Sequence, residues 1–384
     1  MNKIYLFTAA FAVMASLSGC SDTELASIDT AQEKTPIGFH TVGSQMGSRA
    51  TIINSSNDLK SFNVYAFNRN ENGTDGTVFM GKNDETPGNE GVNISYKGGK
   101  WDYTTSTDLK YWPTGALNFY AFSPGSDQHL CFWQITDKKK EIQVTTVDEY
   151  GDPENYPENV DAMYAISKNQ TKTEENGGKV KMNFRHILSQ VAFKARTEFP
   201  SMEVTINSIK IYHFYNIGTF TLPTTDAEPT QTDWNRPDIG YITDGYIAVK
   251  DKSINVGNTA TPISIDAPML FIPQQLTKWG TAPGSPRSIE QANTAKESYL
   301  EISSKIKQND TYLFGNESEY KTLYVPFGAD WQPGKRYVYT LVFGGGYDTD
   351  GNAILQPINF EPEVKDWVED TKNSTTGNDI PLYQ

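Results

Sequence analysis

Ser61-Phe62-Asn63-Val64-Tyr65-Ala66-Phe67 carries aromatic and β-branched side chains on nearly every residue and has no helical repeat. The same chemistry returns in Leu117-Asn118-Phe119-Tyr120-Ala121-Phe122, in Val191-Ala192-Phe193-Lys194-Ala195 and in Tyr337-Val338-Tyr339-Thr340-Leu341-Val342-Phe343. Each run alternates with period two or is continuously apolar, which is the pattern of a half-buried or fully buried strand. From about Pro36 onward such runs alternate with Gly, Asn, Asp and Pro turns. Long stretches of helical period are missing, and one short helix is expected near Ser288–Lys296. The expected fold is all-β, built from sandwiches with Greek-key-like returns.

The chain has 384 residues, enough for two domains of ordinary size or one large one. A boundary is expected near Phe199-Pro200-Ser201, where one strand set ends and another begins with Val204-Thr205-Ile206. The expected division is therefore 1–20, 21–49, 50–200 and 201–384. Glu71–Asp75, Asp148–Pro157 and Glu174–Gly178 read as solvated loops.

The first twenty residues have a separate logic. Met1-Asn2-Lys3 is a short basic start, followed by an apolar run from Ile4 to Leu17. That run suits a signal-peptide core and is too short to span a bilayer as a helix. Leu17-Ser18-Gly19-Cys20 has the form of a lipobox. Small residues before the cysteine let the chain lie extended in a peptidase cleft, and the thiol takes the lipid. An acyl chain contributes about 0.8 kcal/mol per buried CH₂, so several chains on Cys20 make a firm anchor. Residues 21–34 are small, polar and charged and read as a flexible tether. Ser21-Asp22-Thr23-Glu24 resembles a surface-export signal of Bacteroidetes lipoproteins.

The formal charge is −14, and removing Lys3 with the signal makes it −15. So acidic a chain argues against nucleic acid and anionic lipid as partners. With Cys20 lipidated, Cys131 is left without a disulfide partner. Its neighbours Leu130, Phe132 and Trp133 mark it as a buried, inert thiol.

No catalytic constellation is found, so no enzyme activity and no cofactor are expected. His40, His129, His186 and His213 lie outside metal-ligand spacing of one another and of cysteine. His186 reads as a satisfied structural histidine. No Gly-x-Ser-x-Gly or phosphate-cradling glycine loop occurs. Asp348-Thr349-Asp350-Gly351-Asn352 alternates hard oxygen ligands, but an EF-hand would need glutamate where Asn359 stands, so a hairpin turn is expected. Trp101, Trp112, Trp133, Trp234 and Trp279 are scattered. Core packing is their first reading, and stacking on sugars, as in a surface glycan-binding lipoprotein, is the alternative function.

An ordered set of motifs points further. After the lipobox come Pro36-Ile37-Gly38-Phe39-His40, the lone Arg49, Asp58–Phe67, Tyr111-Trp112-Pro113 and Leu117–Ala121. Phe184-Arg185-His186-Ile187-Leu188-Ser189-Gln190-Val191-Ala192-Phe193 follows, then Met269–Gln274, Trp331–Tyr339 and Val364-Lys365-Asp366-Trp367. Taken in order, the set resembles the fimbrillins of Bacteroidetes, the type V pilins.

The resemblance implies two transthyretin-like β-sandwich domains in tandem and assembly by strand exchange. It implies an outer-membrane lipoprotein that becomes part of a fimbrium, serves adhesion, and meets other fimbrial subunits and surface ligands of host or bacteria. An arginine-specific protease would cut at Arg49-Ala50 and release a strand at about Thr35–Val42, with Ile37 and Phe39 as its inward anchors. The donor replacing it would be the C-terminal segment, with Ile380 and Leu382 on one face. Pro381 suits an edge position there. Losing a strand exposes unpaired backbone groups along an apolar groove, a template for β-augmentation.

Overall fold

The computed structural model describes residues 34–41, 59–82, 91–123, 131–146, 161–250, 253–264, 269–280, 288–344 and 359–366. Cys20, Arg49, Ala50, Ile380, Leu382, the tether and the Asp348–Asn352 turn lie outside them. From Thr35 onward the chain forms one compact unit.

The strand Ser61–Arg69 lies inside the first sheet. The sheet order is Arg185–His186, Met163–Gln170, Leu117–Ser123, Ser61–Arg69, Val92–Lys97, Lys100–Tyr103, with Asp75–Met80 also paired to Ser61–Arg69. All these pairings are antiparallel. The near-continuous apolar run has a direct cause, because both faces of the sheet are covered. Phe62, Val64 and Ala66 enter one core with Phe119 and Ala121. Tyr65 and Phe67 enter another with Tyr120 and Phe122.

The second of these cores is closed by a four-stranded sheet in the order Trp234–Asn235, Ile217–Thr221, Lys140–Thr145, Cys131–Ile135. A buried ion pair crosses it. Lys140 Nζ meets Asp75 Oδ2 at 2.7 Å and lies over the rings of Phe67 and Tyr120. Burial works against the Asp75 carboxylate, but hydrogen bonds from Lys140, Tyr120 and Asn118 outweigh it and hold the group below its usual range.

Two further sheets share the largest core. One runs Thr261–Pro262, Ser189–Thr197, Lys335–Phe343, Asn359–Asp366, with Met269–Phe271 also on Ser189–Thr197. Its centre is a parallel pair, Ser189–Thr197 with Lys335–Phe343. The other runs Tyr246–Val249, Met202–Tyr212, Tyr299–Gln308, Thr311–Phe314, with Ile254–Val256 and Lys321–Pro326 alongside. Trp331, fully buried, stacks on Phe271 at 4.7 Å and donates its Nε1–H to Tyr339 OH at 3.1 Å. The expected helix is present as Ile289–Ala295. Ser288 caps it, and the Ser288–Gln291 capping box satisfies two orphan N–H groups.

The strand pairing crosses residue 200 in two places. Ser189–Thr197 pairs with Lys335–Phe343, and Lys140–Thr145 pairs with Ile217–Thr221. The motif Phe184–Phe193 is where the chain changes sheets. Arg185 and His186 pair with Met163–Tyr164 in the first sheet. Ile187 and Leu188 drop into the second core, and Ser189 opens the next sheet. His186 is held there by Asp161, whose Oδ1 accepts from Nδ1 at 2.9 Å.

Candidate functional site

The first described strand, Gly38–Thr41, sits apart from the large sheets and is hereafter the resident strand. It runs parallel to Lys179–Met182, in the register Gly38↔Lys179 to Thr41↔Met182. Its entry is tied by Ile37 N–H to Lys110 O at 2.8 Å, Trp112 N–H to Thr35 O at 3.1 Å and Gly38 N–H to Gly178 O at 2.9 Å. Gly178 has φ +78, so its carbonyl is presented from a backbone conformation that suits glycine. That carbonyl also accepts Trp112 Nε1–H at 2.9 Å.

Alternation does the rest. Ile37 is 1% exposed and Phe39 5%. The Phe39 ring meets Phe62 at 5.9 Å and Phe119 and Tyr103 at 6.1 Å, each edge to face. Val180 and Met182 point into the same core from the partner strand. Burying two such anchors contributes roughly 3–6 kcal/mol as an upper figure. His40 points outward beside Lys179 and Lys181, and partial burial and the two lysines lower its pKa below 6.5.

The other flank is different. Lys100–Tyr103 lies alongside the resident strand but shares no ladder with it among the described residues. Two side chains bridge the gap. Tyr103 OH donates to Ile37 O at 3.0 Å, and Trp101 Nε1–H donates to Thr41 Oγ1 at 3.0 Å. Burial pushes the Tyr103 hydroxyl up to about 12, so it stays a donor at physiological pH. A cleft of about 260 Å³ remains between the flanks, bounded by Ile37, Phe39, Trp101, Tyr103 and Lys179.

Of the residues singled out from sequence, Ile37 and Phe39 come together in this seat. Trp101, Tyr103, Gly178 and the strand Lys179–Met182 were not anticipated. Glu174–Gly178, expected as a solvated loop, ends by supplying the Gly178 carbonyl to the resident strand. The available signal was Gly177-Gly178 followed by the alternating Lys179-Val180-Lys181-Met182. Trp133, Trp234, Trp279 and Trp331 are buried, while Trp101 packs on Phe62 and Trp112 on Phe119. Cys131 is buried, and its thiol is pushed up to about 12 by burial first and then by Asp161. Among the described residues no group of three or more His, Cys, Asp or Glu is placed to hold a metal.

The sequence profile of the fimbrillin-like family matches residues 48–367. The chain belongs to the fimbrillin-like family. Fimbrillins are structural subunits of surface fimbriae, assemble with other fimbrial subunits and are not an enzyme family. No curated protein matches the sequence. Among solved structures, this fimbrillin is similar to a candidate cell-adhesion protein of Bacteroides uniformis, at 13% identity and TM-score 0.42, over 87% of this chain and 100% of that one. It is similar to another from Parabacteroides distasonis, at 9% identity and TM-score 0.43, over 83% and 96%. The tip fimbrial protein Mfa3 of Porphyromonas gingivalis, with its C-terminus truncated, matches at 10% identity and TM-score 0.38, over 80% and 94%.

Proposed function

We propose that this fimbrial adhesion subunit is exported as a lipoprotein through Cys20 and made ready for assembly by a cut at Arg49-Ala50. The observation that carries the reading is the seat of the resident strand. Gly38–Thr41 is held by one ladder and two apolar anchors, and it precedes Arg49 in the chain. Cutting after Arg49 leaves the strand attached only by non-covalent contacts. The family match starts at residue 48, so it takes in the seat and leaves out the strand. Once the strand leaves, Phe62, Phe119, Val180 and Met182 line an apolar groove beside unpaired backbone. A strand from a neighbouring subunit, donated by the C-terminal segment through Ile380 and Leu382, refills it.

The lipid then serves delivery. It keeps the subunit at the outer membrane while the groove is filled, and it departs with the N-terminal peptide. Incubating the purified mature protein with an arginine-specific protease yields a ladder of stable oligomers on this account. Unchanged polymerisation of Arg49→Ala would sink it. The glycan-binding alternative has less to rest on, because the described tryptophans pack against or inside the cores.

A further inference from the structure

We infer that the strand replacing Gly38–Thr41 pairs along both of its edges, joining Lys179–Met182 to Lys100–Tyr103 through a ladder that the resident strand leaves unfinished. The inference rests on the strand-exchange reading above and says what drives it.

The argument starts at a tight hairpin. Val92–Lys97 and Lys100–Tyr103 are joined by Gly98-Gly99, both with positive φ, in the register Lys97↔Lys100, Tyr96↔Trp101, Ser95↔Asp102, Ile94↔Tyr103. The residues closing a two-residue turn exchange both hydrogen bonds, and the pattern then alternates. Lys100 and Asp102 therefore direct their backbone groups into the hairpin, and Trp101 and Tyr103 direct theirs outward. Two neighbouring bonds agree with that phase. Tyr96 N–H turns away to Lys60 O at 2.9 Å, and Thr104 N–H returns to Asn93 O at 3.0 Å.

The resident strand has its own alternation. Gly38 N–H bonds to Gly178 O, so Gly38 and His40 face the parallel partner, and the N–H and C=O of Phe39 face the opposite way. Both rows border the same cleft of about 260 Å³. Across it the only bridges among the described residues are the side-chain donors Tyr103 OH and Trp101 Nε1–H. Pro36 brings no N–H of its own, and Tyr103 OH already occupies Ile37 O, so the resident strand is kept from closing the ladder.

Backbone donors and acceptors in extended register are recognised by another extended backbone. The resident strand already demonstrates that a strand fits between these flanks. The occupant we assign is a strand from a second copy of this chain. It differs from the resident by pairing with Trp101 and Tyr103 as well as with Lys179–Met182, so exchange runs toward the fuller ladder.

Hydrogen exchange resolved to single amides tests this on the uncut subunit and on the protease-assembled polymer. The amides of Trp101 and Tyr103 exchange freely in the subunit and slow by about tenfold or more in the polymer. Those of Lys100 and Asp102 are protected in both. Tyr103→Phe removes the clamp on Ile37 O, so it speeds exchange and leaves the polymer's protection in place. Polymer that has lost the N-terminal peptide but shows unprotected Trp101 and Tyr103 amides overturns the two-sided ladder and leaves strand exchange standing. Absence of polymer after the cut overturns both.

Discussion

A side-chain carbon at residue 178 would stand 2.8 Å from Thr35 Cγ2, so Gly178 and Thr35 are in as close an approach as the backbone permits. Pro36 O would be 3.1 Å away. Gly178 is also at φ +78, where an L side chain costs roughly 1–2 kcal/mol. Gly178→Val is therefore expected to loosen the entry of the resident strand at a cost of at least that size. Chemical denaturation with a protease-accessibility time course would show it. An unchanged midpoint and unchanged cutting would remove Gly178 from the account.

Ile37 and Phe39 invite a test by non-additivity. Truncating a buried Phe or Ile to Ala costs about 2–5 kcal/mol when the surroundings cannot relax. Here the strand can detach once its seating energy is gone. Ile37→Ala and Phe39→Ala are each expected to destabilise, and the double variant to lose clearly less than the sum. Detached strands leave an apolar groove open, so the double variant is expected to self-associate without any protease, as read by sedimentation. Simple additivity with a monomeric double variant would mean that the strand is not a separable unit.

The outward face of the strand makes its hold pH-dependent. The groups facing His40 are Lys179 and Lys181, with burial adding to their effect. Seated, its pKa lies below the 6.5 of the free strand. Its contribution is therefore complete above pH 6.5 and is lost as pH falls below that value. After cleavage the strand is expected to leave faster at about pH 5 than at neutrality. Exposed charges are screened, so added salt should shrink the difference. A Lys179→Gln, Lys181→Gln variant should shrink it as well. A release rate indifferent to pH would dismiss His40 from the mechanism.

Cys131 offers a check on the interior. In a soluble form carrying Cys20→Ser it is the sole thiol. With its pKa pushed up to about 12 and its sulfur buried, it is expected to resist thiol reagents at neutral pH and to react fully on unfolding. Rapid labelling of the native protein would contradict the packing around Cys131–Ile135.

The all-β character was legible because period-two alternation is a local property. Ser61–Phe67 showed a strand, and Ile37 with Phe39 showed one buried face. Pairing partners were not legible, since nothing local ties residue 39 to residue 180 or Ser189–Thr197 to Lys335–Phe343. Phe184–Phe193 reads as one core strand in sequence, yet it is two strands in two sheets, because Ile187 and Leu188 are buried in the core between them. Lys140 and Asp75 look like surface charges in sequence. They become a buried pair only when distant strands bring Phe67 and Tyr120 around them.

The central claim is that a cut at Arg49 frees the resident strand for replacement. The direct measurement is mass spectrometry on polymer purified after arginine-specific cleavage, searching for the peptide that carries Ile37 and Phe39. The account predicts polymer whose subunits begin at Ala50, with that peptide recovered in the unassembled fraction. Polymer that retains the peptide, or equal polymer from Arg49→Ala, would contradict it.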